Sequence, residues 1–144
     1  MESITMDHVM YLVDVIQPTA AEFSSLRVKV GWGATNLEMA QRSLENSLFH
    51  VTARIDNKLI GMGRVIGDGV MFFYVQDVVV DPDFQQQGVG GALMQEIEQY
   101  LSITAQKGST VALLSAQGKE SFYARYGYSE RSGDPLGKGM CKFI

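Results

Sequence analysis

The feature that most constrains this chain is a long apolar run, Val70-Met-Phe-Phe-Tyr-Val-Gln-Asp-Val-Val-Val80, which passes Pro82 into a turn rich in glutamine and glycine, Gln85-Gln-Gln-Gly88-Val-Gly90-Gly91. A run apolar on both faces belongs at the centre of a sheet. Beyond the turn, Val89, Leu93, Ile97 and Leu101 recur every four residues, the spacing of a helix with one buried stripe. A strand that feeds such a turn and helix aims free backbone N–H groups and the positive end of a helix dipole at one spot, where a phosphate can sit. Glycines at 88, 90 and 91 either let the backbone approach a pyrophosphate closely or ease the packing of helix on sheet.

Two nucleotide-binding folds use the same physics, and context disfavours both. A dinucleotide fold wants its Gly-rich turn early, in repeated βαβ units, with an acid about 20 residues on; here the turn sits at mid-chain. A phosphate loop wants Gly-Lys-Ser/Thr, and no lysine follows Gly88 until Lys107.

The remaining elements read as one α/β domain over residues 1–144 with a mixed sheet flanked by helices. Met6 to Val15 is apolar and closed by Pro18, a first strand. Thr19-Ala-Ala-Glu22 has the form of a capping box that opens a helix, with Phe23, Leu26 and Val30 on one face and Gly31-Trp-Gly33 breaking it. Asn36 caps a second short helix to Ser43 or Leu44. Phe49 to Ile55 and Leu59 to Ile66 form a hairpin across Asp56-Asn-Lys58, and Gly67-Asp-Gly69 turns the chain into the long run. Thr110 to Ser115 is a further strand and Glu120 to Tyr126 a short helix stopped by Gly127. Tyr128 to Arg131 and Gly139 to Phe143 read as late strands.

Composition narrows the function. The 144 residues, 46% apolar and 19% charged, suit one packed core. The formal charge is −4 and the basic residues are scattered, which argues against a nucleic-acid partner. No apolar run approaches the ~20 residues of a membrane span, and the start of the chain lacks a signal-peptide layout, so a cytoplasmic protein with no membrane partner is expected. One cysteine, Cys141, expected as a buried thiol, and two distant histidines, His8 and His50, give no metal-ligand spacing; no metal is assigned.

The stretch Val80-Asp-Pro-Asp-Phe-Gln85-Gln-Gln-Gly88-Val-Gly90-Gly-Ala-Leu resembles the acetyl-CoA-binding motif V-x-P-x-x-[QR]-x-x-G-x-[GA] of the GNAT superfamily of N-acetyltransferases. Phe122-Tyr123-Ala-Arg-Tyr-Gly127-Tyr128 is similar to a second landmark of that family, and the two stand in the family's order. The element order also fits, so the resemblance covers nearly the whole chain and implies the GNAT acyl-CoA N-acyltransferase fold. A narrower similarity, carried by Arg27-Val-Lys-Val-Gly-Trp32, Gly67-Asp-Gly-Val70, Gln76-Asp-Val-Val-Val-Asp-Pro82 and Lys138-Gly-Met140, points to a bacterial and plastid-type branch that includes plant serotonin N-acetyltransferases.

The resemblance implies acetyl-CoA as co-substrate and a primary amine of a small molecule or protein as acceptor. Backbone groups of Val78, Val79 and Val80 would pair with the pantetheine arm like an added strand. The segment from Gln85 through Gln86, Gln87, Gly88, Val89, Gly90 and Gly91 to Ala92 would bind the cofactor, with the amides of Gln86 to Gly91 holding the pyrophosphate by backbone and dipole, since three glutamines stand where many relatives have arginine. A backbone N–H near Val79 would stabilise the oxyanion, and Tyr123 would protonate the leaving thiolate, unless it is a core aromatic. Asp77 either takes the ammonium proton, directly or through water, or is a buried paired carboxylate. Gln76 stands where similar diamine acetyltransferases carry Glu, which speaks against a polyamine. Ala116 departs from the usual polar residue, for which Ser115 or Gln117 would substitute. Trp32, with Phe73 or Tyr74, lines an acceptor pocket or belongs to the core. A homodimer is expected by analogy. A catalytically idle acyl-CoA-binding module is the alternative reading.

Overall fold

The computed structural model describes residues 2–6 and 9–144, and side chains from residue 10 onward. His8 lies outside the described residues. The expected first strand is instead a hairpin: β1 (Glu2–Met6) pairs antiparallel with β2 (Val9–Asp14), with Met6 opposite Val9.

Thr19 caps α1 (Ala20–Lys29) as the capping-box pattern predicts. Its hydroxyl accepts from the Glu22 N–H at 3.1 Å, and the Glu22 carboxylate accepts from the Thr19 N–H at 3.0 Å. Caps of this kind are worth about 1 kcal/mol. Asn36 caps α2 (Leu37–Glu45) by accepting from the Met39 N–H at 2.9 Å. β3 (Phe49–Ile55) and β4 (Lys58–Gly67) are joined by Asp56 and Asn57, whose φ values of 47° and 66° are those of the tight turn that matches strand twist. The Asp68 carboxylate then accepts from the N–H groups of Val70, Met71 and Phe72, fixing the entry to β5 (Phe72–Val80). A short 3₁₀ turn (Pro82–Phe84) leads to α3 (Val89–Thr104), followed by β6 (Thr110–Leu113) and α4 (Glu120–Ala124).

The six strands lie in sequence order, all antiparallel except the parallel pair β5–β6. The sheet is covered on both faces. On one, Val89, Leu93, Met94, Ile97 and Leu101 of α3 pack on Val51, Ile60, Val65, Phe73 and Val75. On the other, Phe23 and Leu26 of α1 with Ala40 and Leu44 of α2 meet Leu59, Met62 and Val79. Gly61 and Gly63 let α3 sit close: a Cβ there would lie 3.1 Å from a Val89 methyl and 3.0 Å from the Ile97 Cδ1.

Three expectations are corrected. β5 is the fifth strand of six rather than central, and its apolar character reflects cover on both faces. Residues 128–144 hold no strand; β6 is only four residues long, a short edge for another strand to pair with, and Met140, Phe143 and Ile144 are exposed. Cys141, on that tail, is exposed rather than buried. Among the described residues no helix is long and apolar enough to cross a membrane, and no group of three or more His, Cys, Asp or Glu is placed to hold a metal.

Candidate active site

The site begins where β5 and β6 part. β6 pairs with β5 from Phe72 to Val75 and no further, whereas β4 follows β5 on its other side to Val80. From Gln76 to Val80 the edge of β5 turned away from β4 therefore has no strand beside it among the described residues. Such an edge offers main-chain donors and acceptors to an extended ligand. At its far end the Gln85 side-chain amide donates to the Val80 carbonyl at 3.0 Å.

The same strand delivers the chain to the N-terminus of α3. The first helical bond there is from the Ala92 N–H to the Gly88 carbonyl, so the preceding amides of Val89, Gly90 and Gly91 have no carbonyl of the helix to reach. No acidic side chain lies in this first turn to repel an anion. Gly88 holds φ 88° and a Cβ on it would meet nothing within 4 Å, which leaves open space for a phosphate. The Phe122 ring and the Tyr126 hydroxyl lie against Gly90 and Gly91, where a Cβ would meet them in ordinary contact at 3.5 and 3.6 Å. α4, which carries Phe122 and Tyr123, thus lies against this turn.

Tyr123 is 9% exposed and lies edge-on to Phe122 and Tyr128. Burial pushes its phenol up to about 12, so it holds its proton through the neutral range. Ser115, on the connection after β6, is half-buried and donates to the Ala116 carbonyl at 2.8 Å.

Asp77 occupies a bulge. Met62 pairs with Val79 and Arg64 with Gln76, so Gly63 faces two residues, Asp77 and Val78. Asp77 takes φ 56°, a left-handed backbone that costs a non-glycine residue about 1–3 kcal/mol unless the surroundings hold it. They do hold it. Arg27 donates to Oδ1 at 2.5 Å, Arg64 donates to Oδ2 at 2.9 Å, and the Gln76 amide lies 3.4 Å from Oδ1. Arg64 is anchored in turn by the Ser43 carbonyl and the Ser43 and Ser47 hydroxyls. With a side chain 1% exposed and both oxygens committed to guanidinium groups, Asp77 has the geometry of a buried paired carboxylate. The geometry gives no support to Asp77 as a direct base.

The residues expected on the acceptor side gather on the face that carries α1 and α2. Phe73 is the exception, buried against α3 beside Tyr100, so it does not line this face. Gln76 and Tyr74 stand two apart on β5, and burial raises the Tyr74 phenol. Trp32 is 40% exposed and its ring lies 5.2 Å from the Arg27 guanidinium carbon, so it belongs to neither core cluster and connects to Asp77 through Arg27. Sequence reasoning missed Arg27, Lys29, Arg64 and Asp81 as partners. The signal was the basic pair at the end of α1, two residues apart, facing acids four apart, one on β5 and one just past its end.

Comparison with known proteins bears directly on this arrangement. A family profile described as an acetyltransferase (GNAT) domain matches residues 20–144. An uncharacterised N-acetyltransferase, ycf52, of Pyropia yezoensis is 31% identical over 124 residues, covering 83% of this chain and 68% of that protein. GCN5-related N-acetyltransferase 1, chloroplastic, of Arabidopsis thaliana is 31% identical over 123 residues, covering 83% of this chain and 59% of its own length. The crystal structure of a probable acetyltransferase of unknown function from methicillin-resistant Staphylococcus aureus superposes with a TM-score of 0.86 at 31% identity, covering 94% of this chain and all of that one. A half-paired strand running into a glycine-opened helix, matched in sequence over most of the chain and in structure over nearly all of it, places this protein in the GNAT family of N-acetyltransferases.

Proposed function

We propose that the chain transfers the acetyl group of acetyl-CoA to a primary amine, on a small molecule or an exposed protein site, by direct attack of the amine on the thioester. The observation that carries this is the unpaired edge of β5 ending at the free amides of α3. In this reading Val78, Val79 and Val80 hold the pantetheine arm by their backbone, Gln86 to Gly91 hold the pyrophosphate, and a β5 amide near Val79 donates to the carbonyl oxygen as it gains charge. One such donor is typically worth about 3 kcal/mol of barrier. The amine nitrogen forms a bond to the carbonyl carbon, the carbon–sulfur bond breaks, the thiolate takes the Tyr123 phenolic proton, and the proton shed by the new amide nitrogen returns through water to the phenolate. The proton lost by the ammonium leaves through water, because both Asp77 oxygens are engaged. Trp32, Tyr74 and Gln76 face the acceptor, and Ser115 lies on the opposite wall of the cleft.

Thermal denaturation with CoA, acetyl-CoA, ATP and NAD is the first test. A ligand that binds only the folded state stabilises it by about 2.7 kcal/mol at a hundredfold excess over its dissociation constant. The reading predicts a raised midpoint with the two CoA species alone; none with either would sink it. The engagement of Asp77 favours one second reading, an acyl-CoA-binding module without turnover. It predicts binding with no amine-dependent thiol release, and sustained release with any amine removes it.

A further inference from the structure

The last turn of α1 carries two cations, and each holds a buried acid at one end of the proposed pantetheine-binding stretch. Arg27 reaches Asp77, immediately before Val78; the Lys29 ammonium reaches Asp81, immediately after Val80, at 2.7 Å. Both carboxylate side chains are 1% exposed. Asp81 is further fixed by its N–H to the Ile60 carbonyl at 2.7 Å and by accepting from the Asp83 N–H at 3.0 Å, so it also sets the start of the turn toward α3.

The same turn of helix runs directly into the acceptor-side loop. The Trp32 N–H donates to the Arg27 carbonyl at 2.9 Å, and the Arg27 guanidinium lies over the Trp32 ring. Gly31 and Gly33, at φ 85° and 83°, flank that tryptophan with backbone shapes that other residues resist. Arg27 therefore touches the acceptor loop with its guanidinium face and the bulge of β5 with its Nη1. A displacement of Trp32 cannot leave Arg27 unmoved without breaking that stack, and Arg27 cannot move without uncovering a buried carboxylate.

Resting on the acetyl-CoA reading above, we propose that this turn is a brace coupling the two halves of the site, with Arg27 and Lys29 as positioning residues. Arg27 links the acceptor loop to the bulge that aims the Val79 amide, and Lys29 fixes the other end of the strand. Filling one half then sharpens the other, and the effect is reciprocal.

Trp32 is the only tryptophan, so its emission reports on the loop. CoA and acetyl-CoA are titrated into the whole chain while Trp32 emission and the heat of binding are followed in parallel. The wild type is expected to show a saturable emission change with the dissociation constant found by calorimetry. Arg27→Met is expected to bind about fivefold or more weakly and to lose the emission change, with Arg27→Lys restoring part of both. Lys29→Met is expected to weaken binding while keeping the emission change, since Lys29 does not touch the ring. A purely structural role would lower the melting midpoint and leave the emission response per bound ligand intact; that result, or wild-type binding with silent Trp32, overturns the brace. Absence of any heat in the wild type overturns the acetyl-CoA reading itself. Should Arg27→Met fail to fold, Lys29→Met decides: an unchanged dissociation constant overturns the proposal.

Discussion

The proposed mechanism needs Tyr123 to be both protonated and close to the leaving sulfur. The phenol, held up to about 12 by burial, stays protonated through the neutral range, so in the proposed mechanism its contribution depends on placement rather than on acidity. Tyr123→Phe should lower kcat about 100-fold with little change in the KM for acetyl-CoA, checked by steady-state thiol release. Ionising this phenol is harder in the fold than in the unfolded chain, whose value is near 10, so stability should fall as pH climbs from 10 toward about 12. Glu22 supplies the opposite slope. Its bond to Arg54 holds its carboxyl down to about 2 from 4.5, so the stabilisation is complete above 4.5 and is lost as pH falls toward 2. Acid titration of melting midpoints should show that loss, and Glu22→Gln should flatten it.

Among elements, those fixed by local chemistry were legible in the sequence. The Thr19 box, the Asn36 cap, the Asp56-Asn57 turn and the four-residue stripe of α3 each carry a short-range physical cause, and each forms. What escaped depends on distant partners. Nothing near Asp77 in sequence announces that Arg27 and Arg64, 50 and 13 residues away, will enclose it. The late strands failed for a related reason, since an alternating pattern makes a strand only where a neighbouring edge is long enough to pair with it. Gly63 is a third case, its constraint set by Ile97 of α3, which packs directly on it. Gly63→Val should destabilise the fold by about 1–3 kcal/mol through overpacking beneath α3, measured by urea denaturation, with the α3 amides losing most protection.

For the whole molecule, the two faces of the sheet divide the labour. The α3 face is a continuous apolar core that fixes the strand and the helix N-terminus; the α1–α2 face is laced with ion pairs to the buried carboxylates of Asp77 and Asp81. In the proposed reading the first sets where a phosphate is received and the second sets the shape of the strand that leads there. The strand itself is zipped to neighbours on both sides from Phe73 to Val75 and on one side only from Gln76 to Val80. Hydrogen exchange should therefore follow a gradient along a single strand, slow at its beginning and fast for those amides near its end that point away from β4. Occupation of the cleft would erase that gradient, so the sharpest record of a bound molecule would be a handful of main-chain protons ceasing to trade with solvent.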